Sequence, residues 1–143
     1  MTVAKILAQK GRTVVAIQPQ RSLGEAAKLL AEKRIGALIV GDAANAVVGI
    51  VSERDIVRAV AESGAAALEH PISRHMTAKV VSCTSEAHID EITRLMTEGR
   101  FRHLPVLDDG RLVGVVSIGD VVKQRIAEVE AEGEALRSYI ATA

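Results

Sequence analysis

The residues of this sequence best suited to chemistry are a serine followed three residues later by an aspartate, an arrangement that occurs twice. Ser52 with Asp55 and Ser117 with Asp120 each follow an apolar run and precede a helical pattern. Amide groups at the start of a helix favour an anion such as phosphate, and a carboxylate in the first turn can accept two hydrogen bonds from a ribose diol. The same spacing also describes a helix capping box, which needs no ligand. The motif alone leaves nucleotide binding and helix capping open.

The other reactive side chains show no pattern typical of an enzyme or a metal site. His70 and His75 are five residues apart, which is not the spacing of a helical pair of metal ligands, so surface histidines are favoured over zinc. Cys83 lies in an apolar run, as a small core residue would. A small enzyme using His103 with Asp120 would lack an activating group. No phosphate-binding glycine loop occurs either, so we expect no catalytic residue and no metal ligand.

Composition and charge narrow the class of protein. The chain has 143 residues, 48% of them hydrophobic, and its 18 basic side chains balance 18 acidic ones. Zero net charge argues against nucleic acid as a partner, and no apolar run reaches the ~18 residues of a membrane span. The single cysteine fits a reducing compartment. We therefore expect a soluble, cytoplasmic protein with no nucleic-acid or membrane partner.

The sequence is a tandem duplication. A shift of 66 residues aligns Glu25 with Glu91, and a shift of 65 aligns Asp55 with Asp120. Each unit predicts the order β-α-β-β-α, beginning with a β-branched run. The two β-branched runs are residues 14–17 and 80–83, and the hairpin turns are residues 41–45 and 108–110.

Three segments lie outside the repeated units. Residues 2–9 predict a short N-terminal helix that stops at Gly11, and residues 61–78 predict a partly helical linker. The last helix is predicted to run on through Arg137, with apolar positions at near-helical spacing that suit a partner subunit. We place repeat 1 with the leading helix at 1–65, and the linker, repeat 2 and the C-terminal helix at 66–143.

Each unit resembles a cystathionine-β-synthase (CBS) domain, and the pair resembles a Bateman module, over residues 2–125. The resemblance rests on a doubled signature and on the middle strand of repeat 2. These segments are Gly49-Ile50-Val51-Ser52-Glu53-Arg54-Asp55, Gly114-Val115-Val116-Ser117-Ile118-Gly119-Asp120 and Leu104-Pro105-Val106, with Leu38-Ile39-Val40 as a mild departure in repeat 1.

The resemblance implies an α+β fold in which the two repeats pack about a pseudo-twofold axis and leave two clefts. It also implies a ligand that contains adenosine (AMP, ADP, ATP, S-adenosylmethionine or NAD), a homodimer, and a separate regulated protein that the sequence does not identify. The alternative is a structural homodimerisation scaffold with vestigial clefts. A heat-denaturation screen with these ligands separates the two hypotheses.

When the family's binding residues are transferred to the matching positions, the resemblance implies that residues of repeat 1 contact the adenine base in the first cleft. Positively charged residues of repeat 2 would contact the phosphate. A serine caps the phosphate and an aspartate holds the ribose. The residues are Arg12, Thr13, Gly36 and Ala37 on the base side, Arg102 and His103 facing phosphate, Ser117 as the cap and Asp120 on the ribose. The ordinary alternatives are a solvated surface charge for Arg102 and a buried, hydrogen-bonded imidazole for His103.

A second cleft is implied on the other side of the pseudo-twofold axis. It is expected to be the less favourable one, because Arg102 and His103 crowd its base slot while its phosphate side offers only Gly36 and Ala37. It is either empty or takes a different ligand, such as the second half of a dinucleotide. Its residues are Ser52, Arg54, Asp55, Thr77, Lys79 and Val80.

Overall fold

Two related units follow each other in the computed structural model, which describes residues 1–42 and 46–142. The first has the order β-α-β-β-α, and the second has the same order without a regular first strand. A leading helix precedes them and a linker of two short 3-10 helices joins them. The leading helix is α1 (Val3–Lys10), and repeat 1 comprises β1 (Ala16–Ile17), α2 (Leu23–Lys33), β2 (Ala37–Gly41), β3 (Val47–Ser52) and α3 (Glu53–Ser63). The 3-10 helices are Gly64–Glu69 and Ile72–Arg74, and repeat 2 comprises α4 (Ile89–Gly99), β4 (His103–Asp108), β5 (Arg111–Ser117) and α5 (Ile118–Thr142).

Each repeat contributes its own small sheet. In repeat 1, β1 runs parallel to β2, which is antiparallel to β3; in repeat 2, β4 and β5 are antiparallel. The strand predicted over residues 80–83 is reduced to one parallel bridge between Cys83 and Val106. Only Cys83 reaches the backbone of β4, donating to the Pro105 oxygen at 3.0 Å and accepting from Leu107 at 2.8 Å.

Local sequence signals explain where these elements begin and end. Ser22 caps α2 by accepting a hydrogen bond from the amide of Glu25 at 3.1 Å, as its position before a helical pattern predicts. The β4–β5 hairpin turns at Asp109 and Gly110, whose φ angles of 52° and 77° suit the mirror-image turn that Asp-Gly favours. Of the other predicted turn, residues 43–45 lie outside the described residues. The C-terminal helix continues beyond the predicted Arg137.

The hydrophobic core has one cluster for each repeat, and α1 belongs to the second. In repeat 1, the linker residue Ile72 joins the buried side chains of α2, β2 and β3. In repeat 2, Val3, Ile6 and Leu7 of α1 join buried residues of α4, β4 and β5, including Leu104. The leading helix, which precedes repeat 1 in the chain, therefore completes the core of repeat 2.

The two signature glycines permit this exchange of segments between the repeats. A methyl group on Gly49 would lie 2.6 Å from Met76 Sδ and 2.9 Å from the Thr77 oxygen, so the linker crosses directly over β3. A methyl group on Gly114 would lie 2.7 Å from Leu7 Cδ2, so α1 crosses β5 in the same way. The segment ahead of each repeat's first strand thus packs on the other repeat, as a pseudo-twofold arrangement requires.

No helix within residues 1–42 and 46–142 combines the length and the apolar character that crossing a bilayer requires.

Candidate functional site

A cavity of about 280 Å³ opens between the two repeats, where β3 ends and α3 begins. We call it the Asp55 cavity. Its walls include every residue predicted for the second cleft and three of those predicted for the first. These are Ser52, Arg54, Asp55, Thr77, Lys79 and Val80, together with Gly36, Arg102 and His103.

The Asp55 cavity is strongly basic, although the whole chain carries no net charge. Its lining has five basic side chains against the two carboxylates of Glu53 and Asp55. Cations at the wall of a concave site concentrate the field on an anion inside it. The basic residues are Arg54, Arg58, Lys79, Arg100 and Arg102.

Asp55 uses one carboxylate oxygen to cap α3 and turns the other toward Arg58. Its Oδ2 accepts hydrogen bonds from the Ser52 amide at 2.8 Å and from Ser52 Oγ at 3.1 Å, while its own amide donates to Ser52 Oγ. Oδ1 lies 3.9 Å from Arg58 Nη1, beyond direct hydrogen-bond reach, and the side chain is only 10% exposed. The capping interpretation of the motif is therefore correct, and it leaves Oδ1 able to accept from a ligand.

The Asp55 cavity also has an apolar wall. Val80, Val81 and Phe101 are among its lining residues. The linker reaches this wall because Thr77 and Ile50 exchange two backbone hydrogen bonds at 2.9 and 3.0 Å. A planar, largely apolar group fits this side while an anionic group meets the arginines.

The equivalent aspartate of repeat 2 has a different partner. Asp120 also caps its helix, accepting from the Ser117 amide at 2.8 Å, but Lys10 Nζ lies 2.7 Å from the same Oδ2 atom and also donates to the Val115 oxygen at 2.9 Å. Burial opposes ionisation of Asp120, but the hydrogen bonds from Lys10 and Ser117 outweigh it and lower the pKa of the carboxyl group. The carboxylate predicted to hold the ribose in the first cleft is thus paired with a lysine of α1.

His103 lies between the two clefts. Its ring packs on Gly36, where a methyl group would be 3.2 Å from Cε1 and Nε2. Burial lowers the pKa of His103, and Lys10 and Arg102 lower it further against the opposing charges of two carboxylates, so the ring is neutral at pH 7. His103 is half-buried, and Arg102 is exposed to solvent at the cavity wall.

Five residues predicted for the first cleft do not line the Asp55 cavity. Arg12 and Thr13 are exposed on the segment between α1 and β1, and Arg12 lies close enough to Asp108 to help lower the pKa of that carboxyl group, after its hydrogen bonds with Ser85. Ala37 begins β2, Ser117 ends β5, and Asp120 lies in the first turn of α5 beside Lys10. The five are Arg12, Thr13, Ala37, Ser117 and Asp120.

Several lining residues were not predicted from the sequence. Arg58 is four residues after Arg54 on α3, so the two lie on the same helix face, a spacing that could have indicated a second cation. Arg100 ends α4 in the left-handed conformation with φ of 55°, and Phe101 follows it into the cavity wall. The position of Phe101 depends on this backbone turn, for which the sequence offers no signal.

The remaining reactive residues, His70, His75 and Cys83, do not line the Asp55 cavity. His70 Nδ1 and His75 Nε2 are 2.9 Å apart and their rings stack, and burial is the main cause of a lowered pKa for His70. Cys83 is buried, and burial together with Asp108 raises the pKa of its thiol to about 11. In the part of the chain that the structure describes, no three His, Cys, Asp or Glu side chains lie close enough to hold a metal ion.

Two interlocked repeats with a basic cavity between them define a protein of paired, packed repeats. The CBS domain family matches residues 10–62 and residues 72–126, and the chain belongs to this family. A 17.7 kDa protein of Acidianus ambivalens is 36% identical over 77% of this chain and 66% of its own length. A mitochondrial CBS domain-containing protein of Arabidopsis thaliana is 30% identical over 97% of this chain and 71% of its own.

Solved structures show the same fold. A CBS-domain containing protein from Agrobacterium tumefaciens is 50% identical, with a TM-score of 0.85 over 87% of this chain and 92% of that one. A CBS domain protein from Pyrobaculum aerophilum, complexed with AMP, is 28% identical, with a TM-score of 0.75 over 84% and 89% of the two chains. A CBS domain pair in complex with 5′-methylthioadenosine and S-adenosyl-L-methionine is 26% identical, with a TM-score of 0.80 over 90% and 98%.

Proposed function

We propose that the chain is a regulatory sensor that binds an adenosine nucleotide in the Asp55 cavity. The observation that carries this proposal is the surplus of cations there, five against two carboxylates in a chain of zero net charge. Such a surplus favours an anion inside the cavity, since cations at the wall of a concave site concentrate their field there. Phosphate is the anion that arginine binds best, with two parallel hydrogen bonds.

Three parts of the cavity suit three parts of a nucleotide. Arg54 and Arg102 face the phosphate, Asp55 Oδ1 accepts from the ribose hydroxyls, and the apolar wall of Val80 and Phe101 receives the base. A bound phosphate would also favour the charged form of His103. No group in this arrangement activates a nucleophile, so the proposed role is binding without catalysis.

The relatives with bound ligands support this class of ligand, and the cavity narrows it. The relatives were solved with AMP in one case and with 5′-methylthioadenosine and S-adenosyl-L-methionine in another. S-adenosylmethionine carries no phosphate, so the basic wall favours AMP, ADP or ATP. A volume of about 280 Å³ lies at the lower end of small-molecule sites, which favours a mononucleotide over NAD.

We further propose one principal site per chain. The sequence favoured the first cleft because its flanking residues seemed complementary to a nucleotide, but Lys10 already neutralises Asp120 there. The Asp55 cleft has the cavity, and among the described residues no lysine contacts its carboxylate. We therefore place the principal nucleotide at Asp55, the reverse of the order that the flanking residues predicted.

The proposed sensor acts as a cytoplasmic homodimer on a separate protein. The curated relatives vary in length, and this chain spans 66% of one and only 24% of an Arabidopsis thaliana protein with CBS domains. Paired repeats therefore also occur as parts of longer chains. A signal would pass through the contacts between repeats, since His103 of repeat 2 packs on Gly36 of repeat 1.

A thermal-denaturation screen with adenosine, AMP, ATP, NAD and S-adenosylmethionine tests the proposal. A ligand at 100 times its dissociation constant stabilises the fold by roughly 2.7 kcal/mol, which raises the melting temperature by roughly 5 to 11 °C for a chain of this size. We expect AMP or ATP to give the largest shift and adenosine a smaller one. If no compound shifts the midpoint at millimolar concentration, the protein is a scaffold with vestigial clefts.

Two matched variants then locate the site. Asp55→Ala removes the proposed ribose contact, and because hydrogen bonds to charged groups are worth about 1.5 to 3 kcal/mol, affinity should fall on the order of tenfold to 150-fold. Asp120→Ala is the control, since it removes the same capping aspartate from the other repeat. Calorimetric titration that shows the larger loss for Asp120→Ala would return the principal site to the first cleft.

A further inference from the structure

The C-terminal helix exposes a narrow apolar stripe along most of its length. Helix α5 has 25 residues, a length of roughly 37 Å at 1.5 Å per residue, and no described residue beyond Gln124 is buried. Five large apolar side chains on it are between 51% and 65% exposed. They are Val122, Ile126, Val129, Leu136 and Ile140.

The spacing of this stripe is that of a coiled-coil seam. With Gly133 included, the positions 122, 126, 129, 133, 136 and 140 alternate steps of four and three residues. This is the pattern of the two core positions in a seven-residue repeat, and it produces a stripe too narrow for packing on a globular core. A second helix with the same spacing is the natural complement.

Charges beside the seam select the relative direction of the two helices. In a parallel pair in register, a residue on one flank meets the residue five positions later on the other helix. Glu132 would then meet Arg137 of a second copy, and Arg125 would meet Glu130. In an antiparallel pair covering the same seam, Glu130 would meet Glu130 and Lys123 would meet Arg137, both of them repulsive.

The charges that make this selection are available. Among the described residues, Glu130, Glu132 and Arg137 make no hydrogen bond or ion pair. Arg125, by contrast, already contacts Asp90 and Glu128 of its own chain, so the Glu132–Arg137 pair carries most of the directional preference. Helix α5 as a whole carries five acidic side chains against three basic ones, which makes an anionic membrane surface an unfavourable partner.

We propose that residues 122–140 of α5 form a parallel two-stranded coiled coil with a second copy of this chain. The proposal gives the homodimer of the proposed function its interface, and it does not depend on nucleotide binding. Gly133 leaves a gap at one seam position, where a methyl group would lie 3.7 Å from Arg137 Nη1. Both globular bodies then lie at the same end of the coil.

Light scattering at micromolar concentration provides the first test. The wild-type protein should have about twice the 15.2 kDa mass of the chain, and Leu136→Glu should reduce it to the single mass. Ala131→Glu is the matched control, because it adds the same charge on the opposite face of the same exposed helix. A monomeric wild type, or a Leu136→Glu variant that stays dimeric, would overturn the proposal.

Cysteine crosslinking tests the direction. Ile140→Cys places two thiols side by side across a parallel seam, so mild oxidation should link the chains, whereas Ala141→Cys points away from the seam and should not. The native Cys83 is buried and does not interfere. A dimer in which Ile140→Cys fails to crosslink would exclude the parallel arrangement.

Charge reversal provides an independent readout. Glu132→Arg and Arg137→Glu should each raise the dimer dissociation constant, by about two- to fivefold for an exposed pair, and the double variant should restore it. AMP titration of Leu136→Glu separates this proposal from the sensor hypothesis. Leu136→Glu should be a monomer that still binds AMP. A wild type that is monomeric yet binds AMP would refute the coiled coil alone, and a wild-type dimer that binds no nucleotide would refute the sensor alone.

Discussion

Lys10 Nζ lies 2.7 Å from Asp120 Oδ2, although the two residues are 110 positions apart in the chain. The contact joins the end of α1 to the first turn of α5. Asp55, the equivalent aspartate of repeat 1, has no lysine at this distance among the described residues and lies on an open cavity. One ion pair therefore distinguishes two sites whose signature sequences are alike.

Removing this lysine should open the first cleft. With Lys10→Ala we expect two AMP molecules per chain in place of one, the second bound more weakly because the first cleft lacks the arginines of α3. The pair is partly buried, with side chains 36% and 19% exposed, and its loss should cost on the order of 1 kcal/mol, so the fold should persist. Calorimetric stoichiometry is the measurement, with Lys5→Ala, an exposed lysine of the same helix, as the control. An unchanged ratio of one would mean that something other than Lys10 closes the cleft.

Arg102 should discriminate between nucleotide and nucleoside. Because its proposed contact is the phosphate, Arg102→Ala should weaken AMP by on the order of tenfold to 150-fold, as expected for a charged hydrogen bond, and adenosine only slightly. Arg94→Ala removes an exposed arginine that does not line the cavity and should change neither affinity. Equal losses for AMP and adenosine would place Arg102 against the base or the ribose.

His103 should couple AMP binding to pH. Its pKa is lowered in the free protein by burial and by two nearby cations, and a bound phosphate would raise it, so binding takes up a proton. AMP affinity of the wild type relative to His103→Gln should therefore rise as pH falls through 6.5, by at most about tenfold per pH unit for one proton. The comparison with His103→Gln removes the titration of the phosphate itself. Parallel pH profiles would show that His103 does not sense the phosphate.

The sign is opposite for stability without ligand. A histidine whose folded pKa lies below its unfolded value stabilises the fold above the unfolded pKa of 6.5, and that contribution is lost as pH falls below it. The melting temperature of the wild type should therefore fall more steeply below this pH than that of His103→Gln.

Methyl groups at the two signature glycines should destabilise the fold unequally. Gly49→Ala meets Met76 and the backbone oxygen of Thr77, and overpacking of this kind costs about 1 to 3 kcal/mol, or roughly 2 to 12 °C in melting temperature. Gly114→Ala meets only the tip of the Leu7 side chain, which can rotate, so it should cost less. Thermal denaturation measures both.

Gly119→Ala is the contrasting variant. Its methyl group would meet nothing closer than Ser117 Oγ at 3.5 Å, and alanine is favoured over glycine in a helix by up to about 1 kcal/mol. It should raise the melting temperature. Equal losses of melting temperature for Gly49→Ala and Gly114→Ala would contradict the expectation that a mobile side chain yields to the new methyl group more easily than a backbone atom does.

The features that the sequence predicted well are the local ones. The Asp109-Gly110 hairpin and the Ser22 cap depend on residues within four positions of each other, and both are confirmed. The duplication made the fold predictable, because the same order of elements was indicated separately by each of the two copies. The α+β class and the paired repeats are therefore confirmed as well.

The features that the sequence did not predict depend on distant contacts. Nothing in the periodicity of α1 indicates that Leu7 packs on Gly114, or that Lys10 reaches Asp120. The pseudo-symmetry of the repeats could have indicated where α1 packs, since the linker crosses Gly49 of repeat 1 as α1 crosses Gly114 of repeat 2. The strand expected over residues 80–83 failed because a β-branched run specifies propensity and not a partner.

The position of α1 in the core of repeat 2 has a consequence for synthesis on the ribosome. Leu7 leaves the exit tunnel early, yet Val121, a member of the same buried cluster, is translated 114 residues later. At roughly 5 to 20 residues per second, this is a wait of roughly 6 to 23 s. During that time α1 has no core to join, so its apolar face is a natural binding segment for a chaperone, and repeat 1 has to fold without it.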